Sequence, residues 1–240
     1  MQLGTVKTRY SKKFSYIKDT DEAVHLENYG EYKQKEINLL ALLLSNNVGD
    51  TFVYDVGAGI GTRTVALSKM AAVIAFEHDE DKLKVLKMNT QGKIAPNIMI
   101  VPKSLETTDP HAKDIPNLDG QLMQLPEPTL VCISGDSTRV LRGMTATMML
   151  IKPVIYIDIA NTEDISYQYS ILVERGYKMY WYSCPGFNLN NFKEKQLNIT
   201  ADSFYMNILA IHEDVDIHDG GIDLPRIDGP NDNWKRFNND

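Results

Sequence analysis

Residues with the types and spacing for cofactor chemistry lie together in the stretch 51–64, which reads TFVYDVGAGIGTRT. A short β-type run carries Asp55 near its end, and Gly57, Gly59 and Gly61 follow at every second position. Glycine allows a ligand to lie against the backbone because no Cβ intrudes, and it adopts the dihedral angles of tight turns. Apolar residues then recur at helical spacing. The stretch therefore predicts the strand, glycine turn and helix that begin a nucleotide-binding α/β unit.

The spacing of the glycines distinguishes between two kinds of cofactor. Dinucleotide sites have the pattern G-x-G-x-x-G, whereas this chain has Asp-x-Gly-x-Gly-x-Gly. The pattern favours S-adenosylmethionine (SAM). A tight βα turn without a ligand is the alternative, but such a turn needs one glycine rather than three.

A second acidic residue agrees with a nucleotide site. Residues 72–76 (AVIAF) predict the next buried strand, and Glu77 follows directly. It stands roughly 20 residues after the glycines, where an acid can bind ribose hydroxyls. Beside a glycine loop, ribose binding is favoured over a solvated acid at a strand end. Asp79 is the predicted N-cap of the following helix.

Composition limits the classes of protein that fit. The chain has 240 residues, 43% hydrophobic and 24% charged, which suits one large α/β domain. A net charge of −7 argues against nonspecific nucleic-acid binding as the main role. Cys132 and Cys184 lie far apart without metal-ligand spacing, so reduced thiols in the cytoplasm are the simplest interpretation. We expect neither a signal peptide nor a membrane helix.

Strand patterns alternate with helical patterns along the chain, which predicts a Rossmann-like doubly wound α/β sheet. Residues 31–211 form the predicted main domain, after a strand or hairpin extension over 1–30 and before an irregular acidic tail over 212–240. The basic residues of 1–18 indicate either a solvated edge strand or a contact with an anionic substrate. Helices are predicted at 31–46 and 162–175, and strands at 52–56, 72–76, 97–101, 129–133, 153–159, 177–182 and 203–211.

Four segments resemble the FkbM-type SAM-dependent methyltransferases: DVGAGIGTRT, AFEHDEDKLKVLKMN, PVIYIDI and GYKMYWYSCPGFNLNNF. The resemblance covers about residues 28–212, and its last segment is the most specific. It implies a seven-stranded sheet whose last strand runs antiparallel, and methylation of oxygen, often on sugars or glycan-like products. It also implies that Glu77 holds the ribose of SAM and that the cofactor is cradled by Asp55, Gly57, Ala58, Gly59 and Gly61.

One segment departs from the family pattern. After the fourth strand the family has acidic residues where this chain has Cys132, Ser134 and Ser137, and Asp136 is the nearby carboxylate. Three hypotheses therefore stay open. The first is an active O-methyltransferase. The second is a methyltransferase-like protein that binds SAM or another ligand without catalysis. The third is an NAD-type oxidoreductase, which the glycine spacing disfavours.

Methyl transfer to a hydroxyl needs a group that takes the proton. Asp158 and Asp136 are the catalytic candidates, because ligands in this fold lie outside the carboxyl ends of the strands. Each of His25 and His78 is a weaker candidate. For Asp158 the alternative is an acid that complements a helix N-terminus.

The polar and aromatic loop 183–199 is the predicted acceptor-binding segment. Asn188 and Asn191 would hydrogen-bond hydroxyls while Phe187 stacks on a sugar face. The alternative is an asparagine-rich turn packed by aromatic rings. The expected partner is a small-molecule or glycan acceptor, with no nucleic acid, membrane or metal involved.

Overall fold

The computed structural model describes residues 1–45, 50–91, 97–105, 117–122, 124–159, 164–200, 203–215 and 224–234. Within these residues the strands are β1 (Leu3–Val6), β2 (Phe14–Ile17), β3 (Phe52–Val56), β4 (Ala72–Phe76), β5 (Ile98–Val101), β6 (Leu130–Ile133), β7 (Val154–Asp158), β8 (Tyr177–Pro185) and β9 (Phe204–His212). The helices are α1 (Asp21–Tyr29), α2 (Gln34–Ser45), α3 (Thr62–Leu67), α4 (Glu80–Thr90), α5 (Leu118–Gln121), α6 (Ser137–Arg142) and α7 (Ser166–Val173), with a π-helical segment at Thr147–Ile151.

Seven strands form one mixed sheet in the order β5-β4-β3-β6-β7-β9-β8. Strands β3, β4 and β5 are parallel to one another, and β6 is parallel to β7. The last strand of the chain, β9, is antiparallel to β7, and its Asn207 lies opposite Asp158. The predicted α/β class, the seven strands and the antiparallel last strand are thereby confirmed.

The chain divides into two compact units. The first unit comprises Met1–Lys103 and Cys184–Phe204, and the second comprises Ser104–Ser183 and Tyr205–Asp240. Each unit is stabilised by the burial of β-branched and aromatic side chains. Strands β3 and β4 of the first unit and β6 and β7 of the second are almost entirely buried.

The N-terminal hairpin belongs to the core of the first unit. Strand β1 pairs antiparallel with β2, as expected for a hairpin. Phe14 and Tyr16 of β2 pack in one cluster with Ile60, Val65 and Val85, so the hairpin covers apolar side chains of the glycine loop, α3 and α4. The Asn89 side chain ties α4 to the hairpin through hydrogen bonds of 2.7 and 2.9 Å with the Ser15 backbone.

Helix α1 is absent from the sequence prediction, which treated residues 1–30 as strand or hairpin. Its boundary signals are nonetheless present. Thr20 is the N-cap and accepts a hydrogen bond of 3.1 Å from the Ala23 amide, and Gly30 ends the helix in the left-handed conformation. A short, mostly polar helix has a weak apolar pattern, and only Ala23, Leu26 and Tyr29 supply its apolar buried face.

Two further boundaries differ from the prediction. Strand β8 continues to Pro185, so the loop expected from residue 183 begins at Gly186. Part of the predicted irregular tail pairs with β8: Trp181 donates to the Pro225 carbonyl at 2.8 Å, and Ile227 donates to the Met179 carbonyl at 2.9 Å. The predicted end of the helix 31–46 at Asn46, Asn47 and Gly49 lies outside the described residues, as does much of the predicted loop 102–128.

Across the described chain, no helix has both the length and the apolar character needed to cross a membrane.

Candidate functional site

The glycine loop is a tight turn between β3 and α3. Gly57, Gly59 and Gly61 have φ values of +73°, +60° and +93°. The amides of Gly57 and Ala58 both donate to the Phe76 carbonyl at 3.0 Å, and the Gly61 amide donates to the Ala58 carbonyl at 3.0 Å. All three glycines therefore have backbone conformations that other L-residues rarely adopt, as the sequence predicted.

Two of these glycines meet different surroundings. A Cβ on Gly61 would lie 2.7 Å from Leu86 Cδ1, so this glycine allows the loop to pack on α4. A Cβ on Gly59 would have no atom of a described residue within 4 Å. Gly61 therefore serves internal packing, whereas Gly59 exposes bare backbone to an open space in which a ligand could lie.

Glu77 is joined directly to the glycine loop. Its Oε2 accepts a hydrogen bond of 2.8 Å from the Gly59 amide. Its Oε1 accepts from the amides of His78 and Asp79, also at 2.8 Å. A carboxylate has about four acceptor sites, so these three bonds leave capacity for one more donor. Ribose binding by Glu77 stays a prediction, and the structure adds a second role in holding Gly59.

Asp79 caps α4 as predicted. Its Oδ1 accepts hydrogen bonds from the amides of Asp81 and Lys82, at 3.0 and 2.9 Å. The Lys82 amide is the main reason that the pKa of Asp79 lies below its usual value.

Asp55 is fully buried beneath the loop. The guanidinium of Arg63 donates to Asp55 Oδ1 through Nε at 2.9 Å, and the Thr64 hydroxyl donates to Oδ2 at 2.5 Å. Arg63 Nη1 also donates to Glu36 Oε1 at 3.1 Å. Direct contact of Asp55 with the cofactor remains a prediction. The geometry favours an indirect role in which Asp55 fixes α3 under the glycines.

Sequence reasoning missed the partners of Asp55. Arg63 is nearly buried between Asp55 and Glu36, which are themselves buried. The sequence held a hint, because an arginine in the first turn of the helix after a glycine loop can reach back to the preceding strand. Glu36 carried no comparable signal, since it stands in an amphipathic helix that otherwise reads as apolar packing.

Helix α1 places a further acid beside the loop. The Thr62 hydroxyl, at the first residue of α3, donates a hydrogen bond to Glu22 Oε1. Burial raises the pKa of Glu22 to about 7, although the positive charges of Lys33 and Lys82 act in the opposite direction. The residues around the glycine loop therefore include an acid that is partly protonated near neutral pH.

The two histidine candidates differ in exposure. His25 is buried, with ring centroids of Tyr29 and Tyr32 at 5.9 and 5.3 Å. Burial lowers the pKa of His25, which favours the neutral imidazole. His78 is largely exposed, and its Nδ1 lies 3.9 Å from Glu77 Oε1.

The predicted acceptor residues lie in the first unit, against α1. Phe187 packs against Tyr29 with centroids 5.4 Å apart. Asn191 is only 3% exposed, and its amide group donates to the carbonyls of Asn188 and Lys195 and accepts from the Lys195 amide. The geometry of Asn191 favours the asparagine-rich turn over acceptor contact. The acceptor role of Phe187, Asn188 and Asn191 stays a prediction.

The predicted catalytic acids lie in the second unit. Half-buried Asp158 ends β7 and accepts a hydrogen bond from the Ser134 hydroxyl. Asp136 is the N-cap of α6, where Oδ1 accepts from the Arg139 amide at 3.1 Å and Oδ2 lies 3.0 Å from Arg139 Nε. Asp158 therefore lies in a polar environment at a strand end. The position of Asp136 is explained by its role as the N-cap of α6. Their catalytic roles stay predictions.

The residues at the positions that depart from the family pattern are buried or hydrogen-bonded within the protein. Cys132 is fully buried in β6. Ser137 is buried at the start of α6, where its hydroxyl accepts a hydrogen bond of 3.0 Å from Gln168 Nε2. These side chains are parts of the core, whereas Ser134 is bonded to Asp158.

Comparison with known proteins shows a shared fold. No family model and no curated protein sequence matches the chain. Among solved structures, precorrin-6y C5,15-methyltransferase from Geobacter metallireducens matches with a TM-score of 0.51 and 15% identity, over 72% of this chain and 88% of that one. Precorrin 8W decarboxylase from Methanobacterium thermoautotrophicum matches with a TM-score of 0.50 and 14% identity, over 74% and 89%.

A methyltransferase FkbM from Methylobacillus flagellatus is also among the matches, with a TM-score of 0.42 and 16% identity, over 67% of this chain and 43% of that one. Identities at this level show the fold alone, so membership of the FkbM family is not shown. The fold of this chain is that of the class I methyltransferases.

Proposed function

We propose that this protein is a SAM-dependent methyltransferase. The single observation that carries the proposal is the pairing of Gly59 with Glu77. Gly59 presents backbone with no described atom within 4 Å of a Cβ position, and its amide is bonded to the nearly buried Glu77 carboxylate. An open backbone beside a strand-end acid is the arrangement that receives a nucleoside in doubly wound folds. The shared methyltransferase fold supports the same assignment.

The residues around the loop fit SAM in shape and chemistry. A Cβ at Gly59 would enter the open space that we assign to the cofactor, and Glu77 has acceptor capacity for a ribose hydroxyl. Gly57, Ala58 and Gly61 complete the turn, while Asp55 holds it from below through Arg63 and Thr64. SAM, when bound, would supply an electrophilic methyl group on a sulfonium, whose sulfur leaves as a neutral thioether.

For the chemistry we assign Asp158 the role of general base. It would take the proton from an acceptor hydroxyl, and Ser134 would orient the carboxylate by donating to Oδ2. Asp136 is the second candidate, but its bonds to Arg139 make it less available. The proposed acceptor is a hydroxyl of a sugar, a glycan or a related small molecule, which rests on the family resemblance and on the amides of Asn188 and Asn191.

One observation favours a second candidate function, a protein that binds SAM or another ligand without catalysis. Cys132 and Ser137, at positions where the resembled family has acids, are buried in the core, and Asp136 serves as a helix cap. Of the two predicted catalytic residues, Asp158 is then the one left for proton transfer, because Asp136 is used as a helix cap.

Ligand binding is tested first, by calorimetry and by the melting temperature with SAM and with NAD. A ligand at 100 times its Kd stabilises by about 2.7 kcal/mol, which raises Tm by roughly 5–10 °C in a chain of this size. We expect that shift with SAM and none with NAD. A shift with NAD alone would reject the methyltransferase proposal in favour of an oxidoreductase.

Catalysis is tested next, with methyl-labelled SAM and a panel of sugars, glycans and phenols, with RNA as a further acceptor. We expect label on a hydroxyl compound, and Asp158→Asn should abolish transfer while the SAM affinity is retained. SAM binding without transfer to any acceptor would favour the non-catalytic alternative. Transfer to RNA would reject the proposed acceptor class.

A further inference from the structure

A buried carboxylate outside the glycine loop joins three distant parts of the first unit. Glu31 lies between α1 and α2, and its side chain is only 4% exposed. Its Oε2 accepts from Arg9 Nε at 3.0 Å, from Arg9 Nη2 at 2.8 Å and from the Phe192 amide at 2.9 Å. Its Oε1 accepts from Asn188 Nδ2 at 2.7 Å. One side chain thus receives donors from residues 9, 188 and 192.

Arg9 completes this arrangement. Its Nη2 also donates to the Asn190 carbonyl at 2.9 Å, so the guanidinium bridges Glu31 and the backbone of the loop. A buried carboxylate is stable only when a cation and further donors replace its lost hydration. Glu31 has both, and two of its donors belong to the loop. The hydrogen bonds to Glu31 are therefore complete only while the loop keeps its conformation.

Helix α1 supplies neutral contacts to the same loop, residues 186–200. The Tyr29 hydroxyl accepts from the Ile199 amide at 2.8 Å and donates to the Leu197 carbonyl at 3.2 Å. Phe192 packs so closely on Gly30 that a Cβ there would lie 2.7 Å from its ring. These contacts hold one end and one side of the loop. The turn at 188–192 is held by charge-assisted hydrogen bonds, two to the Glu31 carboxylate and one from Arg9, which is itself paired with Glu31.

We propose that Glu31 is the positioning residue of the loop 186–200, and that it determines acceptor recognition without touching acceptor or cofactor. The proposal rests on the proposed function, in which this loop contacts the acceptor. Asn188 is the link. Its Nδ2 is held by Glu31, and its Oδ1 accepts from the Asn190 amide at 3.2 Å. The Glu31 carboxylate therefore fixes the orientation of Asn188, the residue that follows Phe187.

Glu31→Gln is the first test, because it keeps the shape and replaces one acceptor oxygen by a donor. Trypsin provides a readout that needs no acceptor. Lys193 and Lys195 lie in the loop, and their amines are bonded to the Glu27 carbonyl at 2.6 Å and to Asn28 Oδ1 at 2.7 Å. We expect cleavage after these lysines, quantified by mass spectrometry, to become at least tenfold faster. Glu174→Gln removes a carboxylate that is 73% exposed, and should leave cleavage unchanged.

The kinetic readout separates positioning from general stability. With the best acceptor of the labelled panel, Glu31→Gln should raise KM for the acceptor at least tenfold, while the Kd of SAM stays within twofold of the original. A merely structural role predicts that SAM affinity and acceptor KM worsen together. That result would overturn the proposal.

Asn188→Asp keeps the test decisive if Glu31→Gln folds poorly. This change places a second carboxylate against Glu31 from the loop side and leaves the core untouched. It should give the same fast cleavage, which is its readout because Asn188 itself is assigned to the acceptor. Unchanged cleavage in both variants would overturn the proposal. If the original protein does not bind SAM, the proposed function is rejected instead. If it binds SAM but methylates no acceptor, the trypsin cleavage rates alone test the role of Glu31.

Discussion

At the residue scale, Gly59 is the position where the proposed cofactor site can be tested separately from the packing of the fold. Its φ of +60° already disfavours other residues, yet a Cβ would meet no described atom within 4 Å. We predict that Gly59→Val abolishes SAM binding while the protein still folds. Valine in a left-handed conformation costs at least about 1–2 kcal/mol, or roughly 2–8 °C in Tm for a chain of this size.

Calorimetry and thermal melting check this prediction, and Gly229→Val is its control. A Cβ on Gly229 also has no described atom within 4 Å, and no positive φ is involved. The control should bind SAM normally. If the folded Gly59→Val variant binds SAM tightly, the glycine loop is not the cofactor site.

Glu77 has one observed role and one proposed role, and separate variants can distinguish them. Its Oε2 holds the Gly59 amide, and its remaining acceptor capacity is assigned to the ribose. We predict that Glu77→Ala weakens SAM binding by about 1–3 kcal/mol, the scale for losing a hydrogen bond to a charged group. Glu77→Gln should weaken it less, because one oxygen remains for the Gly59 amide. Equal SAM affinity of the original protein and both variants, by calorimetry, would reduce Glu77 to an ordinary strand-end acid.

Residue types and spacing were enough to predict the tight glycine turn and the place of Glu77 after the next strand, because positive φ values restrict the residue types of such a turn. They were not enough to predict the contacts that Asp55 makes within the protein. Its place in the motif suggested a cofactor ligand, whereas its carboxylate is directed to Arg63 and Thr64. Which partner a buried acid finds depends on tertiary contacts. The same holds for Asn191, whose amide is used by the backbone of its own loop.

At the scale of elements, Arg63 joins three of them in the first unit. Its guanidinium connects β3 through Asp55 and α2 through Glu36, from its own place in α3. We predict that Arg63→Met lowers the free energy of unfolding by about 3–5 kcal/mol, because it leaves Asp55 buried without the Arg63 cation, whereas Glu36 keeps Lys33 at 3.9 Å. Urea unfolding followed by circular dichroism measures the loss.

Arg63→Lys is the matched variant, since it keeps the charge but not the fork of donors. It should lie between the original protein and Arg63→Met. A loss below about 1 kcal/mol in Arg63→Met, the range of exposed ion pairs, would contradict the view that these contacts order the start of α3.

Elements with a strong apolar pattern were predicted best. Buried strands such as β4 and β7 consist almost wholly of apolar residues, and that pattern survives any tertiary arrangement. Helix α1 was missed because its stability depends on capping by Thr20 and on a surface to pack on, rather than on its own periodicity. The extra residues of β8 likewise follow from pairing that no local pattern displays.

At the scale of the whole molecule, alternation of strands and helices was sufficient to predict the doubly wound class. The antiparallel direction of β9 was implied by the family resemblance, since a strand pattern does not reveal its direction. The acceptor could not be predicted in the same way. We propose that acceptor recognition depends on the orientation of a few loop side chains, such as Asn188, which Glu31 holds.

The N-terminal hairpin gives a prediction for the molecule as a whole, because the sequence treated residues 1–30 as an extension outside the main domain. Phe14 is 2% exposed and shares a cluster with Ile60, Val65 and Val85, which belong to the glycine loop, α3 and α4. The Asn89 side chain joins the backbone of Ser15 to the Ile60 carbonyl, 2.8 Å away. Loss of the hairpin would therefore uncover the apolar support of the glycine loop.

We predict that deletion of residues 1–18 leaves a chain that does not fold stably at 25 °C. Removal of a buried aromatic side chain alone costs about 3–5 kcal/mol, and a domain has only about 5–15 kcal/mol in total. Phe14→Ala is the milder test and should lower the free energy of unfolding by about 3–5 kcal/mol, whereas Leu3→Ala, on the exposed side of the same hairpin, should change it by less than about 1 kcal/mol. A truncated protein that keeps its melting temperature and its SAM affinity would show that the hairpin is a removable extension. In that case the packing of the cluster that contains Val65 and Val85 would not depend on Phe14 or the rest of the hairpin.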